Sequence, residues 1–413
     1  MGAMMRRYWL PAIAGEDVVT GNAPSRVRLL GEDLIVFRNA DGVVGVLDES
    51  CPHRGASLAL ARTEDCGIRC LYHGWKFDVT GNVIDTPAEP ADSGFKAKVP
   101  SIGYPAYEAG GLVWTFLGPR GSEPPRMDFD WTYGPDSHRV IVRSRVECNW
   151  LQCVEGVVDS SHVNFLHTNL FRSAPNNAAT ELDAAGVFNR PSADLSPRVE
   201  AQTTSYGFRY AAIRRPLVDA DTKKYVRVTI FVAPFFALIP PPDGFHATMQ
   251  MFVPIDDEHT MFIFAKRADT AIDDEQRRMH FHRAGLRPGV DIDASYRKVR
   301  SRENNWLQDR ASMAAGESNS GIHGVTSEDA AIQESMGPIY DRTKEHLGAG
   351  DVAVIRLRRI LLESVGRVAN RAETPIGLAE PVAYAKLRAE ERIVPLDTPW
   401  QTVGAHAGEP VGV

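Results

Sequence analysis

Two short pairs, Cys51-Pro-His53 and Cys70-Leu-Tyr-His73, constrain this chain more than any other feature. Each pair offers one thiolate and one imidazole from a loop tip, so four donors of two kinds converge if the loops meet. Such a set permits a Cys2His2 zinc ion, or a two-iron centre in which the thiolates hold one iron and the imidazoles the other. In the second arrangement Cys51 and Cys70 share one iron, His53 and His73 hold the other, and the neutral imidazoles raise the reduction potential above that of an all-cysteine cluster. Ordinary buried cysteines beside unrelated histidines are the third possibility. The neighbours suit close packing around buried sulfur: Gly55 and Gly74 let backbone amides approach, Pro52 stiffens one loop, and Trp75 can shield the site from water. Cys66, between the pairs, is left out of the donor set.

The remaining cysteines, Cys148 and Cys153, bring the total to five, an odd number in a chain with no readable secretory signal. Reduced thiols and metal ligands therefore fit better than a disulfide framework. The apolar run after Arg7 contains Pro11 and meets Glu16 and Asp17 at once, too short for a signal or a membrane span. A cytoplasmic protein with no membrane partner is expected. The net charge of -7 is dispersed, with no Lys/Arg stripe to track a phosphate backbone, which argues against nucleic acid as a partner.

A length of 413 residues exceeds what one hydrophobic core usually organises, so two domains are expected. From Arg26 to Glu49 short apolar runs alternate with the turn signals Gly31-Glu32-Asp33 and Asn39-Ala40-Asp41-Gly42, and a further apolar strand follows at Gly111 to Leu117. The first third thus reads as all-β. The Pro-rich stretch Pro119 to Pro125 ends it, giving a boundary that divides residues 1–122 from 123–413. The second part has a helical segment near Asn149 to His167, strands between Tyr206 and Lys266, and charged, Ala-rich stretches from Asp273 onward that look helical. It is an α+β domain with an antiparallel sheet, and Ser173 to Ser196, polar and without a period, is a loop.

Asp159, His162 and His167 form a second constellation. Three residues are about 300° of helix rotation, which puts Asp159 and His162 on one face, whereas five residues leave the two histidines about 140° apart. Both imidazoles reach one ion only if the helix bulges or ends between them, a device common at functional sites. A surface Asp–His pair with an unrelated histidine at a helix end is the plainer alternative.

Cys-Pro-His-Arg-Gly-Ala at 51 to 56 and Cys-Leu-Tyr-His-Gly-Trp at 70 to 75 together resemble the paired signatures of Rieske non-haem iron aromatic ring-hydroxylating oxygenases. Asp159-x-x-His162-x-x-x-x-His167 resembles their iron-binding segment, and Thr326 to Thr343 the carboxylate-bearing region of the phthalate dioxygenase-like branch. Tyr8-Trp-Leu-Pro-Ala, Glu334-Ser-Met-Gly-Pro and Arg358-Arg359-Ile-Leu-Leu extend the likeness over nearly the whole chain. The resemblance implies the alpha, terminal oxygenase subunit: an all-β Rieske [2Fe-2S] domain followed by a catalytic domain whose curved antiparallel sheet grips helices in a helix-grip, START-like fold. It implies cluster ligands Cys51, His53, Cys70 and His73, and mononuclear Fe(II) held by His162, His167 and a later carboxylate. Asp329 is the choice for that carboxylate, with Glu328, Glu334 and Asp341 as local rivals.

The resemblance further implies that Asp159 carries the electron to the iron from a cluster histidine, His73 of the partner subunit, because family members assemble as head-to-tail trimers, alone or stacked. Electrons come from NADH through a separate flavin reductase, with or without a ferredoxin domain. O2 and a small aromatic acid, such as a phthalate or substituted benzoate, are then the substrates, and the ring is dihydroxylated or hydroxylated. Mono-oxygenation with O-demethylation or ether cleavage uses the same metal constellation. A Rieske electron carrier without chemistry of its own is a further alternative, but such a protein needs little more than about 120 residues and leaves the Asp159 to His167 segment unexplained.

An anionic substrate calls for a cation in the pocket, and arginine suits a carboxylate best. Arg190, Arg215 and Arg227 are the candidates, beside Arg209 and Arg214. Tyr225, Arg227, Thr229 and Phe231 alternate on one strand face, which presents Arg227 either to water or to a cavity.

Overall fold

The computed structural model describes residues 1–90, 92–167, 192, 194–242, 244–370 and 374–404. Its contacts divide it into two compact units: Met1–Asp128 with Pro254–Asp256, and Phe129–Val253 with Asp257–Val413.

The first unit is built from short antiparallel strands: β1 (Trp9–Ala14), β2 (Ser25–Leu29), β3 (Glu32–Arg38), β4 (Val44–Asp48), β5 (Arg62–Glu64), β6 (Gly67–Arg69), β7 (Lys76–Asp78), β8 (Val83–Asp85), β9 (Gly103–Tyr104), β10 (Ala106–Ala109) and β11 (Leu112–Phe116). They form three sheets, ordered β1-β11-β10, β2-β3-β4-β9 and β5-β6-β7-β8. Leu34, Ile35, Val36 and Phe37 are all buried, so β3 is covered on both faces and reads as a continuous apolar run. One cluster joins Ile35, Phe37 and Leu47 to Ile68, Trp75 and Phe77, with Cys51 and Cys70 inside it. The Pro-rich stretch and Arg126 after it pack on this unit, because the Trp9 Nε1–H donates to the Pro124 carbonyl at 2.8 Å and Arg126 lies 4.5 Å from the Tyr107 ring centroid. The compact unit takes in residues up to Asp128.

The second unit is organised by an eight-stranded sheet of β12 (Arg139–Val146), β13 (Arg198–Thr204), β14 (Gly207–Arg214), β15 (Lys223–Val232), β16 (Phe236–Leu238), β17 (Ala247–Pro254), β18 (Thr260–Arg267) and β19 (Glu391–Pro395). The order is β12-β18-β17-β16-β15-β14-β13, with β19 added to β15. Val226 and Val228 on one face of β15 pack with Ala211, Ile213, Trp400 and Val403, which leaves Arg227 and Thr229 on the other. Helices Trp150–Val158, Asp274–Ala284 and Val325–Ser335 contribute to the cavity that this second face lines, as the helix-grip expectation requires.

Helix is more broken than the composition after Asp273 suggests. Helix Asp274–Ala284 starts on a capping box between Asp273 and Gln276 and stops at Gly285, whose φ of 71° is left-handed. Pro288 and Gly289 follow, and among the described residues α-helix returns only at Arg310–Ala314, Val325–Ser335 and Val352–Ala369. β19 was not foreseen: Arg392-Ile-Val is too short a run to show a period. No helix among the described residues is long and apolar enough to cross a membrane.

Candidate metal centres

In the first unit the loops carrying the Cys/His pairs have parallel constructions. The Cys51 N–H donates to the Ala56 carbonyl at 2.9 Å, and the Cys51 carbonyl accepts from Gly55 N–H at 2.8 Å. Cys70 repeats this with Trp75 at 2.8 Å and Gly74 at 3.0 Å. Gly55 and Gly74 turn the chain at φ of 75° and 73°, a region that costs a side chain dearly. The result brings the His53 and His73 rings to 4.4 Å between centroids, and Trp75 stacks on His53 at 4.7 Å with a 5° interplanar angle. Both cysteines are buried while the histidines are only partly so.

These residues fit an iron–sulfur cluster on chemical grounds. Burial pushes the Cys51 thiol up to about 11, against the pull of the His53 and Arg54 backbone amides. A thiol so raised becomes a thiolate only when a cation compensates it, which cluster iron does.

In the second unit the segment from Asn149 to His167 is not one helix. The Asn149 side chain accepts from Leu151 N–H and caps helix Trp150–Val158, which ends at Asp159 in extended conformation. A four-residue helix, Val163–Leu166, then lies between His162 and His167, and His167 leaves helical geometry at φ -97°, ψ 25°. Asp159 and His162 therefore do not share a helix face as their spacing suggested. They meet because the Asp159 carboxylate folds forward, accepting from the Ser161 N–H at 2.7 Å and the His162 N–H at 3.4 Å and lying 3.4 Å from His162 Nδ1. Buried Arg214 steadies the break by donating to the Ser160 carbonyl at 2.8 Å.

His162, His167 and Asp329 each bring a ligand atom to within 4.8 Å of the others. Asp329 Oδ1 lies 3.1 Å from His167 Nε2 and 3.5 Å from His162 Nε2. On its far side the His167 ring meets Glu328, Nδ1 to Oε2 at 2.7 Å, and the other Glu328 oxygen accepts from Ser320 Oγ at 2.5 Å. A carboxylate on Nδ1 fixes the tautomer that leaves Nε2 free to bind metal. Burial opposes charge on His167, yet Asp329 and Glu328 together push it up to about 10. Two carboxylates around one imidazole demand positive charge, which a divalent ion supplies as well as a proton does. Two imidazoles and one carboxylate are the donors of a facial triad for non-haem Fe(II).

The rival acids have other duties. Glu334 accepts from Trp306 Nε1–H at 2.7 Å and Lys298 Nζ at 2.6 Å, in a buried network that also takes the Glu147 N–H. Asp341 caps the turn at Arg342–Lys344. Glu328 is the residue whose role the sequence hid, since adjacent acids on a helix look alike.

The triad opens onto a cavity of about 180 Å³. Tyr210, Arg227, Thr229, Gln250, Phe252, Phe262, Phe264 and Lys266 line it from the sheet, while Val157, Ala284 and Ala330 line it from the helices. Of the arginines considered for a substrate, Arg227 lines this cavity with its Nη1 2.7 Å from Glu391 Oε2. Arg215 is exposed and is not among the lining residues, and Arg190 lies outside the described residues.

Comparison with known proteins agrees with both centres. Residues 8–103 match the Rieske [2Fe-2S] domain and residues 115–410 match the LigXa C-terminal domain-like family. The phthalate 4,5-dioxygenase oxygenase subunit of Pseudomonas putida is 43% identical over 97% of this chain and 90% of its own length. The 3-chlorobenzoate-3,4-dioxygenase oxygenase subunit of Comamonas testosteroni is 34% identical over 97% of this chain and 93% of its length. Dicamba monooxygenase bound to dicamba shares the fold, with a TM-score of 0.56 at 18% identity over 89% of this chain and 99% of that one.

A Rieske cluster domain joined to a catalytic unit of this kind defines the oxygenase component of a multicomponent iron enzyme. The chain belongs to the Rieske non-haem iron aromatic ring-hydroxylating oxygenases, as an alpha subunit of the phthalate dioxygenase-like branch. Its cofactors are a Rieske [2Fe-2S] cluster and a mononuclear iron, and its electrons come from a separate redox protein.

Proposed function

We propose that this chain oxidises a small aromatic carboxylate, such as a phthalate or a substituted benzoate, inserting oxygen at the ring. The observation that carries the proposal is the cavity beside His162, His167 and Asp329: aromatic side chains supply its apolar wall and Arg227 and Lys266 supply cations. Its volume, about 180 Å³, is below the roughly 300–1,000 Å³ of drug-sized pockets, which favours a single ring.

When bound, the cluster supplies single electrons and the mononuclear iron activates O2. Cys51, Cys70, His53 and His73 would hold the first group, and His162, His167 and Asp329 the second. Glu328 keeps the His167 ring oriented with Nε2 towards the metal, and the phenylalanines hold the ring while excluding water. Asp159, hydrogen-bonded to the His162 backbone, is the bridge along which an electron would pass from His73 of the partner subunit to His162, without itself being reduced, in a homotrimer, single or stacked. NADH supplies the electrons through a flavin reductase, and the enzyme works in the cytoplasm. The functional halves divide near residue 122.

NADH-dependent O2 uptake with a compatible reductase, across phthalates, benzoates, phenoxybenzoates and uncharged analogues, tests this reading, with products identified by mass spectrometry under 18O2. Uptake coupled to one acid that gains both oxygen atoms is the expected result. Gain of one atom, or loss of an alkyl or aryl group, makes the enzyme a mono-oxygenase or ether-cleaving enzyme instead. Coupling to uncharged rings alone overturns the acid assignment.

Glu328→Ala removes the hydrogen-bond partner of a metal ligand without removing a donor. Iron affinity in a chelator competition is expected to fall about 10–100-fold, the usual cost of losing such a partner.

A further inference from the structure

Lys266 stands where a lysine is costly. It is 9% exposed, near the C-terminal end of β18 on the face that it shares with Phe262 and Phe264, and all three line the cavity. Its ammonium lies 4.5 Å from the Phe264 ring centroid and 5.8 Å from that of Phe245. No carboxylate among the described residues pairs with it, and the charge that it feels most is the like charge of Arg283. Arg227, the half-buried cation on β15, has Glu391 as its partner, so its charge is already matched. Arg283 lines the cavity from helix Asp274–Ala284, likewise without a carboxylate among the described residues, and so does His280, stacked edge-on to Phe245 at 4.8 Å. A buried unmatched ammonium, a half-buried imidazole and the exposed guanidinium of Arg283 at the rim therefore gather where the apolar wall of β18 meets that helix.

Buried charges are normally paired, because leaving water without a partner is expensive. The crowding is felt: burial, reinforced by Arg283, lowers Lys266 to about 8, and burial with Lys266, Arg283 and Arg277 lowers His280 to about 4. A ligand anion relieves all of this at once, and the aromatic ring attached to it lies against the phenylalanines that flank the ammonium.

We propose that Lys266 and Arg283, with His280 beside them, form the carboxylate-receiving end of the substrate cavity and so select aromatic acids over neutral rings. The proposal rests on the aromatic-acid reading given above, and it assigns specificity to residues distinct from Arg227. Lys266 and Arg283 bind and position; the metal donors and the reacting ring carbon lie elsewhere in the cavity.

The test uses the complete enzyme with its reductase, and calorimetric binding of benzene-1,2-dicarboxylate beside its dimethyl ester. Lys266→Met is expected to weaken binding of the diacid roughly 100-fold, as removal of one partner from a buried charge pair does, and to raise KM by a similar factor with kcat little changed. Ester binding is expected to be unchanged or tighter. Arg283→Met is expected to act in the same direction, and Lys266→Arg to recover most of the diacid affinity. Unchanged diacid affinity in both Lys266→Met and Arg283→Met, while the wild-type enzyme turns the acid over, overturns the proposal and leaves the acid reading intact. A wild-type enzyme that binds and oxidises only the ester removes the acid reading itself, and the proposal with it.

Discussion

Alanine at His162, His167 or Asp329 is expected to cost the protein its mononuclear iron while the visible absorption of the [2Fe-2S] cluster persists. Turnover then falls more than about 1,000-fold, since a metal-dependent step loses its metal. The two centres belong to separate compact units with separate donors, so loss at one need not disturb the other. The variants differ in what they leave behind. His167→Ala leaves buried Glu328 with Ser320 Oγ, 2.5 Å away, as its one remaining side-chain hydrogen-bond partner among the described residues, a cost to stability as well as to metal binding. Asp329→Asn keeps the shape of the site and removes the charge, and so isolates the loss of a donor from any loss of fold. Iron analysis beside the cluster spectrum decides the matter: full mononuclear iron in all of these variants would return the chain to the class of electron carriers.

The second large effect belongs to Asp159. Asp159→Asn is expected to keep both metals and the oxidised spectrum, and to lose more activity than the roughly 10–100-fold that removal of an ordinary outer partner costs. The reason is chemical. The carboxylate accepts from Ser161 N–H at 2.7 Å and sits 3.4 Å from His162 Nδ1, which holds it below the usual carboxylate range despite its burial. An amide preserves the contact to Ser161 through its oxygen but cannot carry negative charge between two imidazoles. A rapid-mixing experiment distinguishes a bridge from a mere orienting group. In a bridge variant the reduced cluster stays reduced when substrate and O2 are added; prompt reoxidation at the wild-type rate would reduce Asp159 to a positioning role.

The cluster loops were fully legible in the sequence, because donor types, donor order and the flanking glycines and tryptophan all specify the same two turns. The His162 segment was legible as chemistry but not as geometry. A helix period was the only ruler available, and it cannot show that the helix ends at Val158 or that a carboxylate folds forward over the break. Asp329 and Glu328 are neighbours with the same functional group, and only tertiary structure shows that one faces both histidine Nε2 atoms while the other backs a single Nδ1. Lys266 escaped notice for a different reason. A lysine at the end of a strand is usually solvated, and its place after Phe262 and Phe264 on one face was the available signal. Arg227 showed the converse: the alternation of β15 is real, but the partner Glu391 arrives from a strand that the sequence did not reveal.

The proposed metal donors of the second unit all come from helices and their ends, whereas most of the cavity's opposite wall comes from alternate residues of β14, β15, β17 and β18. Chemistry and recognition are thus written on different secondary structures. A change at a sheet position alters what the enzyme accepts without moving an iron ligand, so substrate range can drift by single substitutions while the oxidising machinery is inherited intact. Relatives named for phthalate and for chlorobenzoate are the kind of divergence that such a partition permits, and the strand faces are where a programme of directed evolution has most freedom.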